Sequence, residues 1–362
     1  KPATRDAAAA ARRKAIGRWV ADGLLILGVL YPVLDQALGF RVLSIITGLL
    51  LFALLALGLN ILLGFAGMLD LGYAAIFGIG GYTAALLMGS GGGLHAPADF
   101  LIVLAASAAV AGLFGALNGA LTFRLRGDYL AIVTLAFGQL VSQVFLNLDQ
   151  WTGGKQGIAA LPAPRLLIFS IQTPIQRYYL ALAVLAMVAV GSARLVNSRL
   201  GRAWAAISAD EIAALSCGVP LRSRMMAFAL GAVVAGMGGA LFAGIFSYVG
   251  TDQSDFTITA MVLAMVIIGG AGSVRGAIIG AILVTCYNQF IVPQIGVWWE
   301  QLGKSTGGWL GQLTATVSLR ELSYLFFGLA LYLTVLLRER RGGRSAAAAP
   351  IEPLGPAVRQ AP

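Results

Sequence analysis

The sequence predicts an all-α polytopic membrane protein with about ten transmembrane helices and both termini in the cytoplasm. Three observations carry this. Hydrophobic residues make up 59% of the 362 positions and charged residues only 11%, where an average soluble domain has about 25% charged. Mean hydropathy is +0.85. The apolar residues fall into runs near the ~20 residues that a helix needs to cross a bilayer. This composition excludes a soluble enzyme. The net charge of +10 does not point to nucleic acid, because the positive residues cluster at the edges of the apolar runs.

In chain order, residues 1–18 form a basic cytoplasmic segment carrying Lys1, Arg5, Arg12, Arg13, Lys14 and Arg18. Such a start also suits a signal peptide. The apolar run that follows, 19–40, is long enough to span and lacks a clear small-x-small cleavage site, so a retained first span is expected. Further spans are expected near 43–63, 72–89, 99–123, 129–148, 178–196, 225–250, 257–270, 276–293 and 322–337. The run at 257–270 is short, which suggests a re-entrant or broken helix. The membrane domain thus covers 19–337, and the Arg-, Ala- and Pro-rich tail 338–362 reads as disordered. With the N-terminus inside and the spans alternating, nineteen of the 25 Lys and Arg residues fall on the cytoplasmic side and six outside. That asymmetry is the positive-inside pattern.

The polar inner loop 194–224 is the most informative stretch. Ser208 stands three residues before Glu211, the capping-box spacing. Asp210 and Glu211 place negative charge where a helix dipole favours it. Ala213, Ala214 and Leu215 favour helix, Gly218 suits a left-handed C-terminal residue, and Pro220 blocks continuation. A helix of about two to three turns is expected, with Ile212 and Leu215 sharing a face. So short a helix is marginal alone and calls for a partner to dock against.

Asn60 and Asp70 lie among the glycines Gly58, Gly64, Gly67 and Gly72. A carboxylate at membrane depth is a functional candidate by default; the alternative is a cytoplasmic turn with Asp70 in water. Asp22 and Asp35 fall in the first expected span, and Asp255 at an outer mouth reads as a solvated acid. Gly115/Gly119 and Gly276/Gly280 have the GxxxG spacing of close helix packing. Two runs, Gly78-Ile-Gly-Gly81 and Gly269-Gly-Ala-Gly272, resemble each other near expected span ends, as in transporters built from two interrupted halves.

Other chemistry is poorly represented. Gly303-Lys304-Ser305 ends like a phosphate-binding loop, but Trp298 stands where its first glycine belongs. Nucleotide energy would therefore have to come from another subunit. Cys217 and Cys286 have no metal spacing and read as small buried residues. With His95 the only histidine, and without paired carboxylates, no catalytic set or metal site assembles, and no cofactor is expected.

The stretch from Gly58 through Asn60, Gly64, Gly67, Asp70 and Gly72 to Tyr82 resembles the N-terminal signature of LivM-type permeases, membrane subunits of branched-chain amino-acid ABC importers. Arg126-Gly-Asp-Tyr129 through Gly138 is similar to the central segment of that family. Thr152-Gly-Gly154 with Gly157 resembles its outer-loop motif. Gly201-Arg202 through Asp210, Glu211, Ala213, Ala214 and Gly218 resembles its coupling loop, and Ile267 through Gly276 its later Gly-rich segment. The resemblance runs from Gly58 to about Gly280 in the correct order; Ile212, inserted before the alanines, and Lys155 in the outer loop depart from it.

The resemblance implies an ABC-importer permease architecture in a bacterial inner membrane. It implies a second, LivH-like permease, two ATP-binding cassette subunits that hydrolyse the ATP, and a periplasmic or lipid-anchored substrate-binding protein. Gly201, Arg202, Ser208, Asp210, Glu211, Ala213, Ala214 and Gly218 would dock the ATPase, with Arg202 as a brace. Asn60, Gly64, Gly67, Asp70 and Tyr82 would line the path. The solute is expected to be leucine, isoleucine or valine, with urea, short amides or other amino acids as the alternative. An ion-coupled transporter using Asp22, Asp35 and Asp70, or an intramembrane enzyme, fits less of the pattern.

Overall fold

In a computed structural model of the chain, the described residues are 42–89, 99–122, 125, 127–166, 169–220 and 222–294, with the isolated positions Gly28, Tyr31, Pro32, Asp35, Gln301 and Gly328. The chain divides into two compact units, Lys1–Ile291 and Val292–Pro362, and the elements below belong to the first. Apart from those isolated positions, the first and tenth expected spans lie outside the described residues, as do His95, Asp22, Arg126 and the tryptophans after 297.

Eight apolar helices match the eight expected spans between 43 and 293. They are α1 (Leu43–Asn60), α2 (Tyr73–Met88), α3 (Phe100–Thr122), α4 (Asp128–Asn147), α6 (Pro174–Val196), α9 (Arg222–Phe246), α10 (Phe256–Gly269) and α11 (Val274–Cys286). Between them lie the short α5 (Asp149–Thr152), the polar α7 (Arg199–Ala209) and α8 (Glu211–Ser216), and four two-residue strands. Among the described residues, six of the apolar helical stretches are long enough to cross a membrane; α2 and α10 are shorter.

Burial separates centre from rim. The stretches built on α1 and α9 are 72% and 78% buried, whereas those on α3, α4, α6 and α11 range from 28% to 39%. A helix apolar all round belongs in the interior, and α1 (LSIITGLLLFALLALGLN) and α9 fit that description. The rim helices leave Leu113, Leu117, Leu121, Ile132 and Leu140 exposed. In water such a surface would aggregate; in hydrocarbon it costs nothing.

Small residues let the central helices meet. A Cβ on Gly80 would strike the Gly236 backbone, and one on Gly239 would strike Gly81, so α2 and α9 touch backbone to backbone. Gly115 and Gly119 lay α3 against Ala232 and Phe228 of α9, and Gly276 and Gly280 lay α11 against α10. Both GxxxG expectations thus correspond to close packing, the contact that holds helices together when lipid supplies no hydrophobic drive.

Two interruptions are central to the fold. After Asn60, α1 widens into a π turn, Ile61–Phe65, then a connector, 66–72, with Gly67 at φ +66°. Between α10 and α11 the chain turns at Gly270 and Gly272, both at positive φ. α10 is as short as expected, and it ends in a turn that folds α11 back along it, with Gly276 against Gly269 and Gly280 against Met265. The Gly78–Gly81 run does not mark a second one: it lies inside α2, where its glycines admit neighbours. The partner of the break at 270–273 is the π turn and connector.

The segment before α6 is held by its own glycines. Thr152 donates to the Phe145 carbonyl at 2.6 Å, and Gly153, Gly154 and Gly157 take positive φ. This turn brings Ile158–Ala159 (β1) against Tyr248–Val249 (β4) as an antiparallel pair. Arg165–Leu166 (β2) and Phe169–Ser170 (β3) form a second pair. A capping box of Thr173 and Gln176, with Pro174 at the first turn, then starts α6.

Candidate functional site

The polar loop between α6 and α9 folds into two helices, not one. In α7, Gly201, Trp204 and Ile207 repeat at three-residue spacing and face inward. Trp204 is fully buried and donates its indole N–H to the Ser223 carbonyl at 2.7 Å, which ties α7 to the start of α9. A Cβ on Gly201 would strike the carbonyls of Leu195 and Val196, so glycine lets α7 fold tightly against the end of α6.

Asp210, rather than Ser208, caps the second helix. Its carboxylate accepts from Ile212 N–H at 2.9 Å and Ala213 N–H at 3.0 Å. Ser208 belongs to the last turn of α7, so the expected capping box does not form, and α8 is a six-residue helix rather than two to three turns. Asp210 is the better cap because it alone has the extended backbone, φ −156°, that an N-cap requires. Gly218 takes φ +82°, and Val219 N–H closes on the Ala214 carbonyl at 3.0 Å, the expected C-terminal turn.

The brace on α8 is also not the expected one. Arg202 donates to the Asn197 carbonyl at 2.8 Å and finishes α6. Glu211 instead accepts from Arg224 at the root of α9, at 3.1 Å, with the guanidinium mostly buried. Ala214 packs inward while Ala213 is exposed, and Ile212 and Leu215 project outward, 66% and 38% exposed. Cys217 beside them is exposed and Cys286 is half-buried, correcting the expectation that both are buried.

The residues expected to line a path fall into two groups. In the first, Asn60 and Gly64 meet the α10–α11 break: Asn60 Oδ1 accepts from Gly272 N–H at 2.9 Å, and a Cβ on Gly64 would strike Gly272 N. Three residues on, Gly67 lies against the Ser208 side chain. One short stretch therefore touches both the polar helices and the second break. Asp70 is fully buried in the connector; Oδ1 accepts from Gly72 N–H at 2.9 Å and Oδ2 has no hydrogen-bond partner among the described residues. The reading of Asp70 as a carboxylate in water fails. The connector is pinned further by Leu71 N–H to Thr134 at 3.0 Å, while Ala74 N–H just beyond it reaches Thr259 at 3.0 Å.

Tyr82 stands apart in the second half of α2, its ring 4.4 Å from Phe145. Asp255 is exposed and accepts from Thr257, as a solvated acid would. Asp35 is buried and accepts from Val42 N–H at 3.3 Å.

A helical bundle with apolar rim faces, a glycine-packed centre and two polar helices outside the apolar run defines a multi-pass membrane protein of the transporter-subunit class. The family model described as the branched-chain amino acid transport system / permease component matches residues 41–335, and the chain belongs to that family. It is 36% identical over 292 residues to the high-affinity branched-chain amino acid transport system permease protein LivM of Salmonella typhimurium, covering 74% of this chain and 67% of that one. LivM of Escherichia coli matches to the same extent. The autoinducer 2 import system permease protein LsrC of an Enterobacter species is 29% identical over 287 residues, 76% of this chain and 79% of that one. No solved structure matches the chain.

Proposed function

We propose that this chain is a permease subunit of an ATP-driven ABC importer that carries leucine, isoleucine or valine across the bacterial inner membrane. It would pair with a second, LivH-like permease, receive solute from a periplasmic or lipid-anchored binding protein, and take its power from two ATPase subunits at the cytoplasmic end. The observation that carries this is α8: a short helix with an apolar tip, Ile212 and Leu215, exposed on a polar loop and braced to α9 through Glu211 and Arg224. A free apolar tip on a rigid mount suits a groove on another protein. Motion of the ATPase would pass from α8 to α7, and through Ser208 and Gly67 to the connector and its contact with Gly272.

The solute reading rests on the relatives named for branched-chain amino acids, whose identity exceeds that of the autoinducer 2 permease. Reconstitution of the chain with its partner permease, ATPases and binding protein tests it. ATP-dependent accumulation of labelled leucine is expected, and accumulation of a different solute instead would overturn the solute assignment.

A further inference from the structure

Four buried polar atoms lie together where α2, α4 and the 3₁₀ turn Thr251–Ser254 meet. Tyr82 Oη, Gln253 Nε2 and Oε1, and Ser254 Oγ have no hydrogen-bond partner among the described residues, and the three side chains are 3%, 7% and 3% exposed. The glycines of α2 bring them in: a Cβ on Gly78 would strike Ser254 Oγ, and one on Gly81 would come within 3.5 Å of Gln253 Oε1. Ser142 of α4 fixes the turn by donating to the Ser254 carbonyl at 2.9 Å. Phe145 and Val249 supply apolar walls beside Tyr82 and Gly81.

Single unpaired polar groups occur in native proteins, but four such atoms on elements that pack together, buried beside the exposed acids Asp252 and Asp255, point to an occupant. Ser254 also borders a narrow crevice beside the connector, with Gly72, Gly138, Gln139 and Thr259. The crevice reaches the exposed stripe of α4 that carries Gln139 and Gln143.

We propose that Tyr82, Gln253 and Ser254 form a polar subsite on the translocation path, and that it holds the head group of a zwitterionic α-amino acid. The three side chains supply uncharged donors and acceptors, and the acid Asp252 stands beside Gln253 on the same turn. That suits a net-neutral ligand carrying both an ammonium and a carboxylate, with an apolar side chain against Phe145 and Val249. The subsite rests on the importer reading given above.

The test uses the full complex in proteoliposomes, with Tyr82→Phe, Gln253→Met and Ser254→Ala in this chain. Each change removes polar atoms and keeps most of the volume. At saturating leucine-loaded binding protein, uptake of labelled leucine is expected to fall at least tenfold. ATP hydrolysis should stay within twofold, and the unfolding midpoint should hold or rise, since an unpaired buried group is being removed. Unchanged uptake would overturn the subsite, and so would hydrolysis falling in step with uptake or a lowered midpoint, which would make the residues structural. If the wild-type complex imports another solute but no leucine, the solute assignment fails, and the variants are then scored with the imported solute by the same criteria.

Discussion

Asn60 Oδ1 accepts the backbone N–H of Gly272 at 2.9 Å across 212 positions of chain, joining the π turn that ends α1 to the break between α10 and α11. Both partners sit where regular helical hydrogen bonding stops, so the side chain replaces a ladder bond that the backbone has given up. Replacing Asn60 with leucine leaves Gly272 N–H without this acceptor. The expected cost is about 1–3 kcal/mol, read as a lowered unfolding midpoint of the detergent-solubilised protein. An unchanged midpoint would show that the bond contributes nothing.

Gly67 and Ser208 give a sharper test of transmission. Gly67→Ala introduces a Cβ against Ser208 and places alanine at φ +66°, a strain of roughly 1–2 kcal/mol. Uptake should drop several-fold. Adding Ser208→Gly removes the collision but not the backbone strain, so part of the lost uptake should return. If the double variant is no better than the single one, the contact does not transmit.

The Glu211–Arg224 pair predicts an asymmetry. Arg224 is the more deeply buried partner. Removing the carboxylate takes a charged partner from the more buried group, whereas removing the guanidinium takes one from an acid that water reaches more easily. Glu211→Ala should therefore lower the unfolding midpoint more than Arg224→Ala. The reverse order would mean that the pair is held by something other than its charges.

Ile212→Asp and Leu215→Asp should leave the midpoint nearly unchanged, because both side chains are exposed, yet abolish co-purification of the ATPase. Retention of the ATPase by both variants would remove α8 as the docking element.

Cys217 offers a direct reading of sidedness. It is exposed at the end of α8, so in a Cys286→Ala background a membrane-impermeant maleimide should label it in inside-out vesicles and not in right-side-out ones. Bound ATPase should slow the reaction. Labelling from the other side would invert the orientation.

The eight apolar helices were legible because each is a continuous apolar run, six of them in stretches of bilayer length, and the signal is local. The limits of α8 were half legible: Gly218 and Pro220 marked its end, but the capping-box spacing pointed to Ser208, whereas the extended backbone at Asp210 makes that residue the cap. The three-residue periodicity of Gly201, Trp204 and Ile207, which marks the inward face of α7, is present in the sequence. Arg224 as the brace, Gly272 as the partner of Asn60, and the burial of Asp70 were not legible. Each depends on segments that meet only after the chain has folded. Gly78–Gly81 misled because glycine serves close approach as readily as it serves a break, and sequence shows only that glycine is present.

The backbone-to-backbone seam between α2 and α9 limits how this protein can change shape. Gly80, Gly81, Gly236 and Gly239 bring the two backbones into direct contact, so any side chain larger than hydrogen at these positions would wedge the helices apart. A cycle of opening and closing that keeps this seam shut would bend instead at interruptions such as those beside Gly67 and Gly270.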